Sequence, residues 1–170
     1  MDTILAKLKE ILLTLKDEFA LKGVYILNDT NAIQAQKTTD YPCIILTPLG
    51  TNTVSGPFGG TRTRNCRIAL RIVLQSSVDK TLNLKEENER NLLKIQDAVE
   101  NLLVQNPQLT LDTSEEFAFR QSFEEDTIQF ELLDSTNAGL FDASYTTLTY
   151  QRIESFYGGA NETPGIQLNA

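Results

Sequence analysis

The sequence predicts an α+β fold: a mixed, mostly antiparallel sheet, two helices packed on one of its faces, and a long β-hairpin arm. Three observations carry that reading. Two stretches space their apolar residues by threes and fours, and both stand apart from the runs that alternate with a period of two. The period-two runs gather into a hairpin in the middle of the chain and a meander in its last third. Helices segregated from runs of strands in this way belong to α+β architecture. The hairpin, residues 41–75, places two apolar strands around a Gly/Thr/Ser/Pro-rich connection longer than closing a core requires.

The first helix is expected over residues 4–19, where Ile4, Leu5, Leu8, Ile11, Leu12, Leu15 and Phe19 form an apolar stripe. Asp2 or Thr3 suits its N-cap and Gly23 its stop. Residues 24–27 read as a short strand and the polar stretch 28–40 as a loop. Pro42 opens the second strand, where a missing N–H does least damage. In the third strand Cys66, Ile68, Leu70, Ile72 and Leu74 share the parity of a core face, with Arg67, Ala69, Arg71 and Val73 opposite. A second helix follows over 84–105, turning Leu92, Ile95, Val99, Leu102 and Leu103 inward and ending at Asn106-Pro107. Further strands are expected at 109–111, 117–124, 127–133 and 143–154, with a tight turn at Glu125-Asp126. Residues 1–154 then make one domain. Residues 155–170, with Gly158-Gly159 and Pro164-Gly165, read as a flexible or extended tail.

At 170 residues such a chain can bury a continuous core. No apolar run approaches the roughly 20 residues that span a bilayer, so no membrane partner is expected. The N-terminus mixes lysines and acids into its apolar positions, unlike a signal peptide, and the chain is expected to stay in the cytoplasm where it is made. A net charge of −8 argues against a general nucleic-acid binder. The charge is uneven, however. Arg62, Arg64, Arg67 and Arg71 have no acid among them, whereas residues 112–154 hold ten acids against Arg120 and Arg152. A basic edge and an acidic edge on one molecule allow head-to-tail pairing of copies, which closes into a ring where the rotation permits.

Residues that would carry chemistry are few. The chain has no histidine, the commonest general base and metal ligand. Gly56-Pro57-Phe58-Gly59-Gly60 precedes a strand rather than a helix, so it is a loop and not a phosphate cradle. Its serines have no imidazole to activate them. Glu115-Glu116 and Glu124-Glu125-Asp126 could hold a hard cation such as magnesium in an acidic-site enzyme, but solvated turns explain them more simply. Cys43 and Cys66 are nearly symmetric about the hairpin connection and could face one another across the ladder, most simply as reduced core thiols. No catalytic residue, cofactor or metal site is expected.

One family shares this arrangement. An amphipathic N-terminal helix leads through a short strand to the Tyr41-Pro42-x-Ile44-Ile45-Leu46 strand and a long loop. An arginine-rich strand, a long charged helix, a meander and the strand Ala143-Ser144-Tyr145-Thr146-Thr147-Leu148-Thr149-Tyr150 complete it. Over residues 4–154 this resembles the tail terminator (tail completion, or neck) proteins of tailed bacteriophages. The resemblance implies a structural virion protein forming a hexameric ring that caps the tail tube, ends its elongation and joins the tail to the head-neck connector. Implied partners are other copies of the chain, the tail tube protein, connector or neck proteins, and the sheath protein if the tail is contractile. DNA would pass through the ring lumen without sequence-specific contact. A head-completion protein on the portal side is the alternative within the same class. Charge segregation then places Arg62, Arg64, Arg67 and Arg71 at a subunit interface, with Arg67 and Arg71 facing acids such as Glu86, Glu89 or Glu124 of the neighbour. The loop 50–63, with Gly50, Thr53, Ser55, Phe58 and Gly60, would reach the adjoining ring.

Overall fold

Two strands, β3 (Thr61–Gln75) and β7 (Gly139–Ser155), pair antiparallel over their whole common length, Thr61 opposite Ser155 through to Gln75 opposite Phe141. The other strands are added to this ladder. In the computed structural model, which describes residues 1–27, 41–55, 61–75, 82–111, 117–121, 129–135 and 139–155, they build a mixed seven-stranded sheet. The path runs β1 (Gly23–Ile26), β2 (Cys43–Ser55), β3, β7, β5 (Phe117–Gln121), β4 (Gln108–Thr110), with β6 (Gln129–Ser135) also on β7. Among the described residues, only β1 and β2 run parallel. Two helices, α1 (Asp2–Leu12) and α2 (Leu82–Gln105), complete the α+β fold.

Both helices lie on one face. Ile4, Leu5, Leu8 and Leu12 of α1 and Leu92, Ile95, Val99 and Leu103 of α2 share a buried cluster with Ile44, Leu46, Ile68, Leu70, Ile72 and Leu148 of the sheet. Helix α1 touches β1 and β4, the two ends of the strand path, so the sheet curls around it. Helix α2 is pinned to β7 by a buried polar contact: Ser144 Oγ donates to Gln96 Oε1 at 2.8 Å, and Gln96 Nε2 donates to Glu100 Oε1 at 3.1 Å. A smaller cluster of Tyr41, Cys43, Ile45, Val73 and Ala143 lies on the outer face.

Several boundaries differ from the sequence reading. Helix α1 ends at Leu12 and tightens into a 3-10 turn, Leu13–Leu15, and the chain reverses at Ala20 (φ +51°) rather than at Gly23, which begins β1. Met1 occupies the N-cap without a side-chain bond. Strand β5 ends at Gln121 and does not pair with β6. Both lie on the same edge of β7, β5 against Thr149–Arg152 and β6 against Gly139–Tyr145. A strand of 17 residues is long enough to take two short partners end to end. The Glu125-Asp126 turn and the tail beyond residue 155 fall outside the described residues.

The largest correction concerns the hairpin. Residues 50–55 and 61–63 are strand, not loop, because Thr51, Thr53 and Val54 are β-formers and the ladder carries on past an irregularity between Pro48 and Gly50. Gly50 and Thr53 therefore sit within β2 and Ser55 ends it. Phe58 and Gly60 lie outside the described residues. The bulge also shifts the parity of β2: Ile44 and Leu46 face the helices before it, Thr51 and Thr53 after it. Cys43 consequently pairs with Val73 on the outer face, whereas Cys66 pairs with Thr51 on the helix face. The two thiols are buried, form no disulfide with each other, and lie on opposite sides of the sheet.

Gly50 makes the bulge possible. Its φ of +129° is a conformation that other residues adopt under strain, although a Cβ there would meet nothing within 4 Å. Gly50→Ala is expected to destabilise the protein by about 1–3 kcal/mol through backbone strain alone, measured as a shift in denaturant midpoint. An unchanged midpoint would contradict this.

Candidate functional site

The candidate site is the end of the ladder that runs past the core. Burial falls off beyond the row formed by Cys66 and Tyr150. Thr51, Asn52, Thr53 and Val54 are exposed, and residues 62–65, 151 and 152 are only partly covered. Five residues of β3 continue beyond that row, about 15 Å of strand. Each face of this extension has its own chemistry, because successive side chains point to opposite sides.

On the helix-facing side the register brings arginines together. Arg64 lies directly opposite Arg152, Arg120 lies opposite Tyr150 on the adjoining row, and Arg62 is two positions further along β3. Residues in register across an antiparallel pair hold their Cβ atoms about 5 Å apart, so Arg64 and Arg152 form a like-charge pair. Glu154 is the register partner of Arg62. Arg120 Nε is buried without a hydrogen-bond partner among the described residues, and so is the Tyr150 hydroxyl. Burial pushes the Tyr150 hydroxyl up to about 12, against the opposing pull of the Arg120 guanidinium.

The outer face carries different groups. Arg67 is exposed there, and Arg71 stacks over the ring of its register partner Tyr145 with 4.9 Å to the centroid. Further out, Gln151 Nε2 donates to Asn65 Oδ1 (3.2 Å) and Gln121 Nε2 to Gln151 Oε1 (3.5 Å). Beyond this amide row, Val54 and Ile153 flank Thr63 in one row and are 54% and 58% exposed, and Phe117 begins β5 nearby.

The four arginines read from sequence as one basic strand are thus split between faces, Arg62 and Arg64 toward the helices, Arg67 and Arg71 away from them. The structure adds Arg120 and Arg152 to the first pair. In sequence these two are isolated bases within an acidic segment. Only the β3–β7 and β5–β7 registers bring them to Arg64, and no local signal encodes those registers. Of the acids named as partners, Glu86 and Glu89 are exposed on α2, and Glu86 accepts an ion pair from Arg90 one turn along the same helix. Glu124 lies outside the described residues, as do Glu115, Glu116, Glu125 and Asp126 of the acidic turns.

Among the described residues no cluster of three or more His, Cys, Asp or Glu could hold a metal ion. No helix there is long and apolar enough to cross a membrane. A surface depression of about 430 Å³ lies along α2, lined by Glu86, Glu87, Arg90, Asn91 and Lys94.

The raised Tyr150 value fixes a pH dependence. The unfolded chain gives up this proton near 10 and the folded chain only near 12, so the neutral phenol's contribution is whole below pH 10 and is lost as pH rises from 10 to 12. Wild type should lose about 1.4 kcal/mol per pH unit in that window relative to Tyr150→Phe. Denaturant midpoints at pH 9 and pH 11 measure it, and parallel behaviour of the two proteins would contradict it. Neither a protein-family model nor a curated protein sequence matches this chain, so its function is argued from the geometry above.

Proposed function

We propose that the chain is a structural virion subunit: a tail-terminator-like protein whose copies form a ring, hexameric in the resembling family, that caps the tail tube and joins it to the neck. One observation carries this reading. The central ladder continues beyond the core as an extension with a cationic face and a face that ends in exposed apolar residues. A monomeric enzyme gains nothing from ordered strands that cover no core, whereas a ring subunit uses them to touch its neighbours. The element order supports the same reading, from the amphipathic α1 through the hairpin and α2 to the final long strand.

Under this proposal the extension works by binding. The arginines fix register and partner choice more than raw affinity, since each exposed ion pair is worth on the order of 1 kcal/mol or less. Val54, Ile153 and Phe117 supply apolar area to the contact. The helix-backed body, with α1 in contact with both ends of the strand path, anchors the extension at its base. The acidic total of −8 disfavours adhesion of DNA passing through the ring.

Electron microscopy of tails assembled without this protein tests the proposal. Overlong tubes lacking heads are expected. Tails of normal length, joined to heads, would overturn it.

A further inference from the structure

Where the core gives way to the extension, one row on the helix-facing side crosses four strands and carries a hydrogen-bond donor on each. Thr51 of β2 stands opposite Cys66 of β3, Cys66 opposite Tyr150 of β7, and Tyr150 opposite Arg120 of β5. The first two satisfy one another, Thr51 Oγ1 donating to Cys66 Sγ at 4.0 Å. The other two do not. Tyr150 is fully buried, and its hydroxyl and Arg120 Nε both lie out of solvent with no hydrogen-bond partner among the described residues. A buried donor left without an acceptor forfeits the hydration it had in the unfolded chain. Arg64 and Arg152, one row further out, have partners of their own, which leaves Arg120 and Tyr150 as the pair in this row that lacks an acceptor.

The surroundings supply no such acceptor from the sheet. The neighbouring strand positions on this face are Ile68 and Leu148 on the inner side and Thr53, Arg64, Arg152 and Ala118 on the outer side, with no acid among them. Burial keeps the Tyr150 proton in place through neutral pH, so the phenol is a donor there. Arg120 is held in position by its own backbone, whose N–H donates to the Pro107 carbonyl at 2.8 Å and ties β5 to the segment that follows α2. Arg120 is only partly covered, whereas Tyr150 is enclosed. The pair therefore sits at the lip of the core, with the cationic member toward solvent and the neutral donor behind it.

We propose that Arg120 and Tyr150 form a binding site for a single carboxylate, which accepts from the Arg120 guanidinium through Nε–H and from the Tyr150 hydroxyl. The planar edge of a guanidinium matches the two oxygens of a carboxylate. A carboxylate is favoured over a phosphate because the site is half-enclosed, and a second negative charge makes desolvation more costly. The group has two sources, a small free carboxylic acid or an acidic side chain of another copy of this chain. The site itself does not depend on the function proposed above; only the second source rests on that reading.

Acetate titration of the full-length, nitrogen-15-labelled chain tests the site, with sodium chloride holding ionic strength constant. The Arg120 Nε–H resonance, assigned by its loss in R120K, should shift saturably. Y150F should bind acetate about tenfold more weakly, the worth of one hydrogen bond to a charged group. A second measurement covers the case in which Y150F does not fold: acetate should raise the denaturant midpoint of wild type by mass action and leave that of R120Q where it is in chloride. Absence of a saturable shift, equal affinity in folded Y150F, an equal rise in R120Q, or tighter binding of inorganic phosphate than of acetate would overturn the proposal. Sedimentation velocity without acetate then separates the sources. Weaker self-association of R120Q than of wild type assigns the carboxylate to another copy, and equal behaviour assigns it to a free acid. Saturable acetate binding by a chain whose loss leaves tails normal would keep the site and remove the ring; overlong tails without acetate binding would do the opposite.

Discussion

The β3–β7 ladder is the constraint on which the rest of the structure depends. Its fifteen register pairs join the two longest strands, and every other strand reaches the sheet through one of them. Its inner part carries the apolar row, with Ile68, Leu70 and Ile72, on which both helices pack. Its two ends carry the polar chemistry. At one end Asp142 and Gln75 anchor α2, and at the other Arg64 and Arg152 stand opposite one another. A slip of one residue in this register would turn the arginines to the outer face and break the core in the same movement. The fold and the candidate site therefore share one determinant.

The curl of the sheet explains why so small a domain can extend a strand pair beyond its core. With α1 in contact with both ends of the strand path, Ile4, Leu8 and Leu12 are fully buried by a single layer of sheet and one neighbouring helix. The apolar surface is used up well before the strands end. What remains of β2, β3 and β7 has no hydrophobic reason to be ordered beyond its own ladder, the cross-strand amides of Asn65 and Gln151, and the bulge at Gly50 that keeps β2 in step. Strand pairing without a core is marginal in isolation, which is why contact with a further surface is the economical explanation for it.

Much of this was legible in the sequence. Period-two alternation assigned the core face of β3 correctly, and the three-and-four spacing found both helices and nearly all of their buried residues. The α+β class follows from the same patterns. What was not legible depended on register. A Gly/Thr-rich stretch reads as loop until a partner strand is known to pair with it, so the hairpin strands were too short by several residues on each side. The position of Cys43 relative to Cys66 depends on a one-residue bulge that composition does not announce. The arginine cluster is the clearest case. Arg62 and Arg64 were visible as basic residues, but Arg120 and Arg152 become their neighbours only through pairings between segments some 60 to 90 residues apart.

The central claim is that the β3–β7 ladder runs on past the core as an extension through which copies of this chain meet. Sedimentation velocity of the wild-type chain and of V54D/I153D, both changed at exposed positions of the extension, tests it most directly. The account predicts that wild type self-associates as concentration rises and that the variant, folded by circular dichroism, stays monomeric. A wild-type chain that remains monomeric, or a variant that associates as wild type does, would contradict it.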